Sequence, residues 1–207
     1  MASTPGLIRK ACRWLEPAQL AQALARDHGE EGLIWLDGDG SALGRWLTLA
    51  VQPLEQRCCR GLPGDPDARN PFESLRNLPP GHWTGWLSYD AAAWLEAGQP
   101  WRPDAMASLW IARHDPVLRF DLQQQELWLE GLDPVRHGAM ADWLETMTCS
   151  AAAAQVPVHS PWQRQSDRNG FMAGVRRIRE LIAAGDLFQA NLTACSSTQL
   201  LEPISNL

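Results

Sequence analysis

Near its C-terminal end the chain carries Phe188-Gln189-Ala190-Asn191-Leu192-Thr193, in which apolar side chains alternate with amides and a hydroxyl. In an extended strand successive side chains point to opposite faces. Gln189, Asn191 and Thr193 would then share one side, and Phe188, Ala190, Leu192 and Ala194 the other. Amides and hydroxyls both donate and accept hydrogen bonds without carrying formal charge. A row of them either lines a pocket for a polar organic ligand or forms the wetted side of an antiparallel sheet. Asparagine is a poor strand former, which favours the pocket. The chemistry open to such a face is orientation of a carboxylated or hydroxylated substrate. A neutral glutamine cannot serve as a general base.

No other constellation competes with it. His28, His82, His114, His137 and His159 are isolated, with no i, i+4 pair and no cysteine partner. The five cysteines, Cys12, Cys58, Cys59, Cys149 and Cys195, form no CxxC pair and are odd in number. Reduced thiols fit that pattern better than a disulfide framework or a zinc site. Gly38-Asp39-Gly40 lacks the third glycine and the following helix of a dinucleotide site and reads as a turn. A formal charge of −6 argues against a phosphate-binding surface, so no nucleic-acid partner is expected. No stretch approaches the roughly 20 apolar residues of a membrane span, and Met1–Lys10 holds no apolar run of signal-peptide length. The expectation is a cytoplasmic protein with no membrane partner.

The elements that would position the polar face can be read from periodicity. Phe171, Val175, Ile178 and Ile182 fall at spacings of 4, 3 and 4, a helical stripe that Asp167 or Asn169 can cap and Gly185 can stop. Upstream, Pro17–Asp27 reads as a helix, and Gly32–Leu36 and Arg45–Val51 as strands. Residues 61–80, rich in Pro, Gly, Asp and Asn, read as an exposed excursion. His82–Asp90 alternates with glycine beside its aromatic residues, the mark of a strand packed tightly on a neighbour. Leu109–His114, Val117–Asp121 and Glu126–Glu130 read as a meander with one wet face. Pro134–Thr148 reads as a helix with its stripe at Val135, Ala139 and Trp143, or at Met140 and Leu144. Eleven tryptophans scattered from Trp14 to Trp162 are expected to fill core rather than to stack on a ligand.

An alanine run and two prolines mark residues 151–166 as a linker. It separates an N-terminal domain, 1–150, from the start of a second, 167–207. The fold class expected is α+β: largely antiparallel sheets with packed outer helices, and an incomplete second domain.

These residues resemble a known family. Gly185-Asp186-Leu187-Phe188-Gln189-Ala190-Asn191-Leu192-Thr193 is similar to the Gly-Asp-aromatic-Gln-x-Asn-Leu-Ser/Thr signature of the chorismate-utilising enzymes. These include component I of aminodeoxychorismate (para-aminobenzoate) synthase and of anthranilate synthase. Gly85-Trp86-Leu87-Ser88-Tyr89-Asp90, followed by Glu96, resembles a second segment of that family. Leu36-Asp37 with Gly44-Arg45 resembles the strand pair that holds a tryptophan pocket in several members. There Asp37 is followed by Gly38 where a serine is usual.

The resemblance implies chorismate as substrate, Mg²⁺ as cofactor with ligands outside this chain, and a glutamine amidotransferase subunit or domain as partner. Gln189, Asn191 and Thr193 become substrate-pocket candidates, and Asp37 and Arg45 regulatory-pocket candidates. No catalytic residue and no metal ligand can be assigned. Related isochorismate and salicylate synthases carry a water-activating lysine at the position of Gln189, so the glutamine points to a branch that adds nitrogen. Asn191 resembles the aminodeoxychorismate branch more than the anthranilate branch. The expected function is the N-terminal part of aminodeoxychorismate synthase component I, inactive without a missing C-terminal half. Anthranilate synthase component I, a non-catalytic amino-acid-binding module, and a truncated product without stable function are the alternatives.

Overall fold

Period-two alternation in consecutive runs organises the N-terminal part of the molecule. The computed structural model describes residues 6–96, 98, 100–102, 105–148 and 158–201, in two compact units, Met1–Ala152 and Ala153–Leu207. In the first unit, β1 (Ile8–Cys12), β2 (Ile34–Leu36), β3 (Trp46–Ala50), β7 (Val117–Asp121) and β8 (Glu126–Gly131) form a sheet in the order β1-β8-β7-β3-β2. Every pairing in it is antiparallel. A second antiparallel sheet has the order β4-β6-β5, built from β4 (Glu55–Cys59), β5 (His82–Leu87) and β6 (Leu109–His114). Helices and antiparallel sheets together make the chain α+β, as expected.

Register sets the core. Phe120 lies opposite Leu47 on β3 and Leu127 on β8, and Leu118 lies opposite Leu49 and Leu129. These side chains face α1 (Pro17–His28), which contributes Leu20, Ala21, Ala23 and Leu24, and α3 (Pro134–Thr146), which contributes Ala141 and Leu144. Pro17 occupies the first turn of α1, where a missing N–H costs nothing. Asp133 caps α3 by accepting from the N–H groups of Val135 and Arg136 at 2.8 and 3.2 Å. The stripe of α3 falls on His137, Ala141 and Leu144, whereas Val135 is 78% exposed. Of the two alternatives read from spacing, the one containing Leu144 faces the sheet.

The meander's second face is wet only in part, with Glu126 exposed and Arg119 and Trp128 half-buried. Val117, Asp121 and Glu130 are buried there. Val117 packs with Ile34, Ala50 and Trp110, where the second sheet covers the first. Inside the expected excursion, α2 (Pro71–Arg76) forms because Asn70 accepts from the N–H of Phe72 at 2.9 Å and Pro71 starts the turn. Tyr89–Trp94 is a 3-10 turn after β5.

In the second unit, α4 (Arg168–Ala184) begins at Asp167, whose carboxylate accepts from Gly170 N–H at 2.7 Å. It ends at Gly185 in the left-handed conformation, φ 82°. The stripe Phe171, Val175 and Ile178 is half-buried. β9 (Gln163–Arg164) pairs antiparallel with β10 (Ser196–Ser197), and His159 bridges to Leu200. Residues 158–166 of the expected linker thus belong to paired structure, and residues 151–157 lie outside the described residues.

The tight approach read from glycine at β5 is present. A Cβ on Gly85 would stand 2.0 Å from the carbonyl oxygen of Trp110 and 2.7 Å from Cα of Ile111. Gly85→Ala must push β5 from β6 and is expected to cost at least about 2 kcal/mol in urea unfolding. Phe120→Ala is expected to cost about 3–5 kcal/mol in the same measurement. Val135→Ala, on the outer side of α3, should stay within about 0.5 kcal/mol.

Candidate functional site

Gln189, Asn191 and Thr193 follow α4 directly. The glycine stop returns the chain through hydrogen bonds from the N–H groups of Asp186 and Leu187 to the carbonyl of Leu181, at 2.9 and 3.3 Å. Beyond it, the run 188–194 is irregular and not the strand that its alternation suggests. Alternation specifies which sides a strand would present, but a strand also needs a ladder. Among the described residues the run has no pairing, and pairing resumes only at Ser196 and Ser197. All three polar residues are exposed, and their side chains make no hydrogen bond within the described residues. Of the apolar side, Phe188 is 97% exposed, while Leu192 settles on α4. Its Cδ2 lies 2.9 Å from where a Cβ on Gly174 would be, so that glycine is the seat that receives it.

The hairpin connecting β2 and β3 holds Asp37 and Arg45. Asp37 is exposed, and its Oδ1 accepts from the N–H of Gly38 at 3.0 Å. Arg45 turns to Asp121 at the end of β7. Its Nε lies 2.8 Å from both carboxylate oxygens, and Nη2 donates to Oδ2. Asp121 is only 1% exposed and also accepts from the N–H groups of Gln123 and Gln124, each at 3.1 Å. A fork-shaped guanidinium on a carboxylate, backed by two amide donors, is the strongest ordinary form of this interaction. The Arg45 guanidinium and then the amide donors hold the Asp121 carboxyl below its usual range. Arg45 and Asp37 are thus on one hairpin, with Arg45 engaged by Asp121 and Asp37 in solvent.

A concavity that the sequence did not single out lies near this hairpin. It is a cleft of about 380 Å³ between β2 and the second sheet, lined by Gly32–Leu36, Thr84–Trp86 and Trp110. Trp86 and Trp110 face each other across the strand pair, with ring centres 4.9 Å apart and planes 21° from parallel. His114, fully buried, joins the two sheets by a 2.8 Å hydrogen bond between Nε2 and the carbonyl of Gly32. Burial pushes its pKa down. The signal for the cleft was the glycine-flanked tryptophan of Gly85-Trp86. The tight backbone approach at Gly85 accompanies the indole stack.

Among the described residues, no group of three or more His, Cys, Asp or Glu side chains could hold a metal ion. The groups present do not fit a Mg²⁺ site. Nor is any helix of the described residues long and apolar enough to cross a membrane. Cys12, Cys58, Cys59 and Cys195 are free thiols.

The family model described as chorismate binding enzyme matches residues 35–205. An anthranilate synthase component I-like protein from Synechocystis sp. (strain ATCC 27184 / PCC 6803 / Kazusa) is 28% identical over 171 residues. That alignment covers 75% of this chain and 35% of the relative, so the chain spans about a third of the curated protein it matches.

The matched span contains the Arg45–Asp121 pair, and its contribution is measurable by pH. A depressed carboxyl pKa stabilises the fold above the unfolded value of about 4 and loses that effect as the pH falls through the folded value. Asp121→Asn should therefore lower the thermal midpoint at pH 7, and the gap from the parent should close as the pH falls below the usual carboxylate range. His114, whose lowered pKa also removes stability on acidification, is common to both proteins and cancels in the difference.

Proposed function

We propose, from the premise that this chain belongs to the family of chorismate-binding enzymes, that it is the N-terminal part of an aminodeoxychorismate synthase component I. That subunit aminates chorismate to 4-amino-4-deoxychorismate with ammonia released from glutamine by an amidotransferase partner. The observation carrying the reading is the family match across residues 35–205, which runs through both units and ends beyond the Gln189-x-Asn191-Leu192-Thr193 run. Gln189 supports an amine-adding branch, because a neutral amide cannot deprotonate water. Asn191 supports the aminodeoxychorismate branch over anthranilate formation.

The role proposed for Gln189, Asn191 and Thr193 is to orient substrate or nucleophile by neutral hydrogen bonds. Their exposure in this unit means that the pocket they would line needs further structure to close it. The chain covers 35% of its relative, and Mg²⁺ is proposed to be held by groups outside this chain. A cytoplasmic location belongs to the same proposal.

A second reading, an amino-acid-binding module, is favoured by one observation. The indole-lined cleft is bordered by Leu36, the residue before Asp37. Asp37 and the hairpin it opens would then border a bound aromatic amino acid.

Incubated with chorismate, ammonia and Mg²⁺, the purified 207-residue chain should form no product by mass spectrometry. Mixed with the C-terminal part of a component I enzyme, it should restore 4-amino-4-deoxychorismate. Restored anthranilate instead would move the assignment to the other branch, and turnover by the chain alone would remove the division of labour proposed. Calorimetric titration with free tryptophan tests the second reading, which a flat titration would dismiss.

A further inference from the structure

The segment after β5 carries two aromatic rings that are oriented but not stacked on each other. Tyr89 opens the 3-10 turn, and in such a turn the side chains at i and i+3 eclipse. That places Ala92 beneath Tyr89, and a methyl group leaves the ring face open. Trp101 is fixed from its far edge, because its Nε1–H donates to the backbone carbonyl of Glu96 at 2.9 Å. The two ring centres lie 6.0 Å apart with planes 49° from parallel. The result is a wedge and not a sandwich. Tyr89 is 86% exposed, so a large aromatic face is left to water. Together with Ala92, Glu96 and Pro100, the rings bound a hollow of about 440 Å³.

We propose that Tyr89, Trp101 and Glu96 form a binding site for a small alkylammonium cation. Aromatic faces carry negative electrostatic potential and attract cations within about 6 Å of the ring centre, tryptophan most strongly. Two tilted rings that both line one hollow offer this attraction from two residues. Glu96, which lines the hollow, brings a formal negative charge to the segment, and its backbone carbonyl accepts the same hydrogen bond that orients Trp101. The net charge of −6 favours the approach of a cation over that of an anion. A neutral aliphatic ligand would gain from the rings but not from the carboxylate or the ring potential. The site shares no residue with the cleft beside β2 or with the run containing Gln189, and it does not depend on the proposed chorismate chemistry.

Choline chloride is the probe, and its uncharged isostere 3,3-dimethyl-1-butanol is the control, both titrated into the 207-residue chain by calorimetry and by ligand-observed NMR. Choline should saturate with a dissociation constant on the order of 1 mM, and the isostere should bind at least about five-fold more weakly. Trp101→Leu should reduce choline affinity by about five-fold or more, and Glu96→Gln by about two- to five-fold. Equal binding of choline and its isostere would overturn the proposal, as would no saturable choline binding by the parent chain. The comparison of the two ligands on the unaltered protein needs no variant to fold.

Discussion

The two faces of the five-stranded sheet meet different surroundings, and each is satisfied by a different chemistry. On the helix side, Leu47, Leu49, Leu118, Phe120, Leu127 and Leu129 meet leucines and alanines of α1 and α3. On the other side, β7 presents Val117, Arg119 and Asp121, and β8 presents Trp128 and Glu130. A buried carboxylate is tolerable only when its acceptor positions are filled. Asp121 fills its own with Arg45 and two backbone amides. Glu130 meets Arg9 at 3.1 Å, and the Arg9 guanidinium also lies 4.1 Å from the ring centre of Trp128. These pairings let a polar alternation survive in the interior of the unit.

The same pairing ties two turns together. Leu122 N–H donates to the carbonyl of Arg45 at 2.9 Å, and the Gln123 side chain donates to the carbonyl of Gly40 at 3.3 Å. The hairpin that carries Asp37 is therefore anchored to the β7–β8 turn at its base. At the opposite end of the sheet pairing, His114 ties Gly32 to β6. The cleft beside β2 lies between two edge strands, β2 and β5, because the sheets meet across Ile34, Ala50, Val117 and Trp110 and diverge beyond them.

Much of this was legible in the residues. Three runs from Leu109 to Glu130, the helix from Pro17 and the glycine-stopped helix before Gly185 all combine a clear period with clear end signals. What escaped were edge strands and a short helix. Ile8–Cys12 and Glu55–Cys59 show little hydrophobic alternation, since an edge strand rests mainly on backbone pairing to its inner neighbour. The helix at Pro71 was hidden by the Pro, Gly and Asp around it, although Asn70-Pro71 is itself a start signal. The opposite error occurred at 188–194, where the pattern of a strand is present and the ladder is not. The family resemblance rests on side-chain identity at Gln189, Asn191 and Thr193. The local surroundings of those residues do not by themselves define a pocket.

Trp14, Trp35, Trp83, Trp110 and Trp143 pack against the core clusters from their margins, and no tryptophan sits at a core centre. Trp14 meets Phe120 edge-on at 5.6 Å, and none of the tryptophans is among the fully buried apolar residues. The Trp86–Trp110 stack has an optical corollary. Two indoles this near couple their electronic transitions, and to the extent that their transition moments are skewed the ultraviolet circular dichroism should carry a paired band of opposite signs superimposed on the peptide signal. The amplitude of that couplet would respond to any change in the spacing or the mutual angle of the two rings. Helix content computed from the uncorrected spectrum would be skewed.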